Sequence, residues 1–340
     1  MAQQKTYWHL LQQKRMPTEY EIVTSKLLCY TGEGFTGKRF ELDVPLQDWY
    51  KRFQQDSPLT CTSWEKFRDP RETTYTKYTE IQKDKEIFVD GILEEIDASS
   101  YDAQISLPWR QVLSRVVAPL RYPGHGLQML AAYFGQMAPS GRIVITAALQ
   151  AGDEMRRVQR IAYRVRQLQQ LHRGFASDSQ ALWQTDPLWQ PLRFAIEKLL
   201  ICYDWAESFV GLNLVLKPLM DELLMTHLSD LALREGDHLL GQIFYSLNED
   251  CRWHQAWSQA LTRMVIEDNS NNRGTIQAWI EKWYPVAGRA VQAFAPVFDG
   301  KLESARMAPL EGVAQKLDRY YRDYLSGMGL QPSISGAPLF

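Results

Sequence analysis

The chain has 340 residues, 45% of them hydrophobic and 23% charged, with a formal net charge of −2. That composition belongs to a globular protein able to bury a sizeable core, and the near-neutral charge argues against nucleic acid or acidic lipid as a main partner. Cys29, Cys61, Cys202 and Cys251 lie far apart with no Cys-x-x-Cys pair, which excludes a disulfide framework or zinc ribbon and fits a reducing cytoplasm.

The N-terminus, Met1 to Thr6, lacks the apolar run of a signal peptide. Residues 1 to about 68 read as an irregular arm, interrupted by Pro17, Pro45 and Pro58 and by Gly32, Gly34 and Gly37, with Tyr20 to Val23 as a short extended stretch. The arm carries Tyr7, Trp8, Tyr20, Trp49, Tyr50 and Trp64, so many aromatics for so little regular structure that it is expected to pack along a partner subunit or along its own helical domain.

From Asp69-Pro70 the pattern turns helical, because Asp caps a helix and Pro suits its first turn. One helix is expected to about Ala98, with Tyr75, Tyr78, Ile81, Phe88, Ile92, Leu93 and Ile96 at helical spacings. A second runs from about Tyr101 to Ala138, bent by Pro108, Pro119 and Pro123, until Pro139-Ser140-Gly141 ends it. The third, about Arg142 to His172, has the clearest period: Val144, Ala148, Ala151, Met155, Val158, Ala162, Val165 and Leu168 make one stripe. Around it cluster Arg156, Arg157, Arg160, Arg164 and Arg166, most of them expected in solvent or at a subunit contact.

Asp186-Pro187 repeats the cap signal and opens a helical segment to about Leu233, kinked at Pro218. Its apolar stretch, Leu199 to Met225, carries Asp204, Glu207, Lys217, Asp221 and Glu222, which marks a buried helix and not a membrane span. Helices follow from Asp237 to about Asp268, Thr275 to about Phe298 and Glu303 to about Leu325, with a loop at Asn269 to Gly274 and a loose Gly/Pro/Ser-rich tail. The domains so read are an arm at 1–68, a helical domain at 69–326 and a tail at 327–340. There is no strand–helix alternation, Gly-x-Gly-x-x-Gly, Walker loop or Gly-x-Ser-x-Gly, and the six histidines show no ligand spacing.

Several segments carry a resemblance. They include Pro17-Thr18-Glu19-Tyr20-Glu21-Ile22-Val23, Pro119-Leu120-Arg121-Tyr122, Gln136-Met137-Ala138-Pro139, Asp204-Trp205-Ala206-Glu207-Ser208-Phe209-Val210, Leu212-Asn213-Leu214-Val215 and Trp279-Ile280-Glu281-Lys282-Trp283. From about residue 6 to about residue 298 the chain resembles the β subunit of the hydroxylase component of bacterial multicomponent monooxygenases, within them most the four-component alkene and toluene-type enzymes. The resemblance implies an all-α, ferritin-like helical bundle with an irregular N-terminal extension. It also implies that a partner α subunit holds the di-iron centre.

The α pattern takes a Glu, a Glu-x-x-His, a second Glu and a second Glu-x-x-His, because residues at i and i+3 share a helix face and both reach a metal in the bundle core. Carried onto this chain, those positions fall at Arg121, at Glu154 and Arg157, at Glu207, and at Cys251 and His254. In Asp153-Glu154-Met155-Arg156-Arg157 the His seat holds an arginine, which stays protonated and has no lone pair for a metal. Only Glu154, Glu207 and His254 keep a ligand's residue type, so no metal and no catalytic residue is expected here. One expectation is that Arg121 and Arg157 neutralise Glu154 and Glu207; the plainer one is a surface pair between Glu154 and Arg157.

The function so implied is a structural subunit, without an active site of its own, of an oxygenase that inserts one atom of O2 into an alkene or aromatic hydrocarbon with NADH-derived electrons. The implied partners are an iron-bearing α subunit and a small γ subunit, as a dimer of heterotrimers, with a Rieske-type ferredoxin, a flavin reductase and an effector protein. FAD and Fe–S clusters would lie in the electron-transfer components, and no nucleic acid or membrane is involved. A stand-alone ferritin-like di-iron oxidase with a degenerate ligand set is the alternative, and a helical scaffold unrelated to oxygenases the third reading.

Overall fold

The structure, a computed structural model, describes residues 16–24, 44–95, 98–300, 310 and 312–331. Tyr7 and Trp8 lie outside them. Among the described residues every regular element is helical, and no helix is long and apolar enough to cross a membrane.

The arm is more regular than its composition suggests. Tyr20 to Val23 belongs to a helix, α1 (Glu19–Thr24), and not to an extended stretch. Thr18 and Glu21 form a reciprocal capping box there: Thr18 N–H donates to Glu21 Oε2 at 2.8 Å, and Glu21 N–H to Thr18 Oγ1 at 3.2 Å. A second helix, α2 (Val44–Tyr50), continues as a π-helical turn, Lys51–Gln55. Asp69-Pro70 caps a turn, not a helix. Asp69 accepts from the Arg71 and Thr73 amides and from the Trp253 indole at 2.8 Å, and the helix α3 begins only at Tyr75 and runs to Glu95.

After α4 (Ala98–Ala103), α5 (Leu107–Val112) passes through a π turn (Leu113–Val117) and a 3₁₀ turn at Pro119 into α6 (Arg121–Met137), so the prolines bend the rod without ending it. Next comes α7 (Gly141–Leu171), close to its expected bounds. Beyond α8 (Ser179–Thr185) and α9 (Gln190–Leu200) the chain breaks at 201–204, which the apolar run concealed. Asp204 restarts it by accepting from the Ala206 and Glu207 amides.

The long rod that follows alternates α10 (Trp205–Phe209), a π stretch Val210–Leu216, α11 (Lys217–Asp221), a π stretch Glu222–His227 and α12 (Leu228–Arg234). Pro218 has no N–H to offer the carbonyls four and five residues back. Those two carbonyls, Leu214 and Asn213, instead accept from the Tyr321 and Tyr324 hydroxyls, each at 3.0 Å. The tyrosines come from α15 (Val313–Ser326), which follows α13 (His238–Asp268) and α14 (Asn271–Phe298).

The core is a bundle of α6, α7, the α10–α12 rod and α13, with α9 and α14 packed outside α6 and the rod. The arm closes on this body: Tyr20 and Tyr50 are buried, Trp64 meets Trp205 edge-on at 5.2 Å, and Trp49 contacts Tyr203 at 4.8 Å. The described arm aromatics therefore pack against this chain's own bundle, with Trp49 and Trp64 only partly buried. The start of the tail is also tied down, with Met328 and Leu330 buried and the Leu330 amide donating to the Leu325 carbonyl.

Candidate functional site: a buried charge cluster in the bundle core

The apolar stripe expected on α7 coincides with the buried face only in part, at Ala151, Val165 and Leu168. Ala148 and Met155 are exposed, and the face turned into the bundle carries Gln150, Asp153, Glu154, Arg157 and Arg164. Arg156, Arg157, Arg160 and Arg164 are all buried, against expectation, and only Arg166 lies in solvent. Period alone does not reveal that these charges turn inward. Each buried arginine is paired: Arg164 with Asp102 at 2.6 Å, Arg156 with Asp250 and Glu86 at 2.9 and 2.6 Å, and Arg160 with Asp90 and Glu86. Buried guanidinium groups persist only with such partners.

At the centre, Glu154 from α7 is fully buried. Its Oε1 accepts from the ammonium of Lys217, on α11, and its Oε2 lies 3.2 Å from Arg157 Nη1. Lys217 Nζ also stands 2.9 Å from Asp221 Oδ2, one helical turn on, and Arg157 Nη1 donates to Asp221 Oδ1 at 3.1 Å. Two cations and two anions thus close a ring. Arg157 Nη2 further donates to the thiol sulfur of Cys251, on α13, at 2.8 Å.

One turn along α13, His254 Nε2 meets Asp153 Oδ2 at 2.9 Å, while Nδ1 is buried without a hydrogen-bond partner, 3.9 Å from Glu154 Oε1. Asp153 Oδ1 in turn accepts from the Tyr78 hydroxyl at 2.8 Å and the Gln82 amide at 2.7 Å, both on α3. A second ring lies under α3, where Asp250 accepts from Lys85, Gln82 and Arg156.

The shifts in proton affinity follow from this geometry. Burial alone would raise the Asp221 carboxyl, but Lys217 and Arg157 hold it down at about 2. Burial alone would lower the Lys217 ammonium, yet Asp221 and Glu154 keep it above its ordinary value. Burial, then the charge of Lys217, brings the His254 imidazole down to about 3, and burial with the neighbouring Asp250 pushes the Asp153 carboxyl well up. The shifts at Asp153 and His254 thus disfavour the ionised forms, while those at Lys217 and Asp221 favour them.

Of the six positions laid out in the sequence, the fold brings four together: Glu154, Arg157, Cys251 and His254. Arg121 is elsewhere; it stacks on the Tyr122 ring and donates to Ser179 Oγ at 2.6 Å. Glu207 is also elsewhere, accepting from Trp283 Nε1 at 2.9 Å and Lys282 Nζ at 2.5 Å against α14. The expected neutralisation of Glu154 and Glu207 by Arg121 and Arg157 therefore holds for the Glu154–Arg157 contact alone, and that contact is deep in the core, not on the surface. The partners that sequence reasoning missed are Lys217 and Asp221. Their signal was present, a lysine and an aspartate four apart within an otherwise apolar run.

This donor set does not fit a metal pair. An ammonium and a guanidinium occupy the space between the carboxylates, and neither has a lone pair. Among the described residues no group of three or more His, Cys, Asp or Glu side chains is arranged to hold a metal ion. Beside the cluster, a cavity of about 20 Å³ lined by Leu120, Gly124, Arg157, Leu216 and Asp221 has room for one water-sized molecule, far below the volume of a hydrocarbon pocket.

An all-helical bundle built around paired core positions, two of them filled by cations, defines a ferritin-like subunit without a metal-ligand set in its core. The methane/phenol/alkene hydroxylase family pattern matches residues 49–269, and the chain belongs to that family. It is 34% identical over 304 residues to the β subunit of the hydroxylase component of the toluene-4-monooxygenase system of Ectopseudomonas mendocina, spanning 89% of this chain and 93% of that one. It is 24% identical to the small subunit of the hydroxylase component of propane 2-monooxygenase of Rhodococcus jostii strain RHA1, spanning 74% and 70%. A solved structure of toluene 4-monooxygenase with toluene in its resting active site superposes at a TM-score of 0.79, with 36% identity over 85% of this chain and 96% of that one. Xenon-pressurised phenol hydroxylase from Pseudomonas sp. OX1 superposes at 0.81 with 18% identity over 97% and 96%, a likeness of fold. The chain is thus a hydroxylase-component β-type subunit of a multicomponent monooxygenase.

Proposed function

We propose that this chain is the structural partner of an iron-bearing α subunit and contributes no catalytic residue of its own. The observation that carries the reading is the Glu154–Lys217–Asp221–Arg157 ring, which fills the bundle's core with matched charge where metal donors would have to converge. The di-iron centre of the α subunit would supply O2 activation, with electrons from NADH arriving through a flavin reductase (FAD) and a Rieske-type ferredoxin. The substrate would be an alkene or aromatic hydrocarbon, bound in α. A small γ subunit and an effector protein complete the proposed assembly, a dimer of heterotrimers in the cytoplasm.

The proposed contact with α combines the partly exposed Trp49 and Trp64 of the arm with other faces. The outer side of α3 is one: Ile87 and Phe88 are exposed there, while Gln82, Lys85 and Glu86 bond inward. A stand-alone di-iron oxidase would need donors that Lys217 and Arg157 displace.

Co-purification with metal analysis tests the proposal. Expressed with its α and γ partners, the chain should be recovered in a complex whose iron stays with α after the subunits are separated under mild denaturation. Iron retained by this chain, or hydrocarbon oxidation by this chain alone, overturns it.

A further inference from the structure

We propose that His227 is an acid-operated release for α15. While its ring is neutral it fills the joint between the α10–α12 rod and α15; once protonated it turns outward to Asp230 and lets α15 lift. The inference concerns this chain's own fold and does not depend on which partner or substrate the complex has. It rests on the seating of the ring, on the carboxylates beside it and on the helix that leans on it.

The ring is sealed in without a hydrogen bond. His227 closes the π stretch Glu222–His227, against which α13 and α15 pack, and is 3% exposed. Neither Nδ1 nor Nε2 has a hydrogen-bond partner among the described residues. A neutral imidazole tolerates such a seat far better than an imidazolium, which brings a second N–H donor and a full charge.

Two carboxylates straddle it, each just beyond hydrogen-bonding reach. Glu222 Oε1 lies 3.8 Å from Nε2, and Asp230 Oδ2 lies 3.8 Å from Nδ1. The two are not equivalent. The Glu222 side chain is 18% exposed, and its other oxygen accepts from Thr226 Oγ1, which in turn accepts from Asn248 on α13. The Asp230 side chain is 51% exposed. The inner carboxylate is thus committed to the rod and α13, while the outer one offers a protonated ring a partner at the edge of the solvent.

The other charged and titratable groups about the joint are Arg252 on α13, which acts on Glu222, and two on α15: Lys316, which acts on the ring, and Tyr320, which faces Glu222. Burial pulls the imidazole below its ordinary value; Asp230 opposes this and Lys316 adds to it. As the pH falls below about 6.5, the ordinary value, an opened joint takes up the proton and the closed one resists it, so acid favours opening. What opening releases is set by the fold. α15 carries Tyr321 and Tyr324, whose hydroxyls satisfy the Leu214 and Asn213 carbonyls beside Pro218, so the joint couples a surface helix to the interior of the rod.

Hydrogen exchange read by mass spectrometry tests the inference on the purified full-length chain, with its partner subunits where they co-purify. Exchange times are scaled for the intrinsic effect of pH on amide chemistry. Between about pH 7.5 and about pH 5.5 the opening of α15 and of the Glu222–Arg234 stretch should rise roughly tenfold, the ratio expected when an opened histidine of ordinary affinity binds the proton. The α7 helix should stay protected at both. His227→Gln should abolish the rise, and Asp230→Asn, which removes the outward acceptor, should move it to lower pH. Equal protection of α15 at both pH values in wild type, a rise that persists in His227→Gln, or one spread over the whole bundle overturns the inference. If His227→Gln does not fold, Asp230→Asn, at an exposed position, decides: a rise at unchanged pH overturns the inference as well.

Discussion

Two neighbouring regions of the same bundle are specified in opposite ways. Towards one end, Phe67, Phe134, Phe209 and Trp257 meet at ring-centroid distances of 5.5–6.3 Å, an apolar junction defined by shape. At the other, the Glu154–Lys217–Asp221–Arg157 ring and the Asp250 ring beneath α3 are defined by charge. Between them lies a layer of paired amides: Gln150 and Asn213 exchange hydrogen bonds at 3.0 Å each way, and Asn213 also donates to Ser258. The same helices, α7, the α10–α12 rod and α13, cross all three layers. An apolar junction tolerates any filler of the right volume, whereas a buried ring of charges is stable only as a complete set.

That contrast can be broken most strongly by substitutions at its two ends. Trp257→Ala and Lys217→Met should each cost about 3–5 kcal/mol of unfolding free energy, the first by leaving a cavity and the second by leaving carboxylates without a counter-charge. The two should then part ways. Lys217→Met/Glu154→Gln, which removes one charge of each sign, should recover a large part of the loss, while no second polar change should rescue Trp257→Ala. Urea unfolding of these three variants against wild type decides it, and no recovery in the charge pair would mean that the ring is not a matched set.

Acid sharpens the comparison next. The Asp221 carboxyl is held at about 2, below its ordinary value, so its contribution is present above about pH 4 and lost as pH falls through about 2. Asp221→Asn should therefore cost about 2 kcal/mol at pH 7, and the gap to wild type should close towards pH 2. Phe209→Leu should show a pH-independent deficit over the same range.

A smaller effect is expected at Pro218. Tyr321→Phe leaves the Leu214 carbonyl without its donor at no cost in packing, and should lower stability by about 1 kcal/mol. Faster amide exchange should be confined to the Val210–Asp221 stretch. The smallest effect is expected at Arg121, which touches neither ring: Arg121→Met should change stability by less than about 1 kcal/mol and leave the acid limb unaltered. A large loss there would restore Arg121 to the cluster.

Much of the fold was legible in residue order. The bounds of α7 and α13 follow from local chemistry, in which a cap or a helical period acts on its immediate neighbours, whereas Asp69-Pro70 and Asp186-Pro187 cap turns and not helices. The capping box at Thr18 and Glu21 was equally local, and overlooked. The resemblance to a hydroxylase β subunit was readable for the same reason, since its motifs are contiguous. What residue order did not contain was the inward direction of the charges on α7. Arg156, Arg160 and Arg164 look like a solvated face until Glu86, Asp90, Asp102 and Asp250 are brought against them from segments far along the chain.

The same reason separates the right half of the site from the wrong half. Glu154 and Arg157, three apart on one helix, were paired by sequence spacing, and Cys251 and His254 likewise share a face. Which residue on the α10–α12 rod meets them depends on the cumulative twist of a rod that switches between α and π turns, each of which changes the angle a side chain has reached. Sequence by itself determined that the chain is helical, which family it resembles and that its metal motif is broken. Only the tertiary structure decided that Lys217, and not Arg121, answers the charge of Glu154, because pairing in a core depends on distance through space.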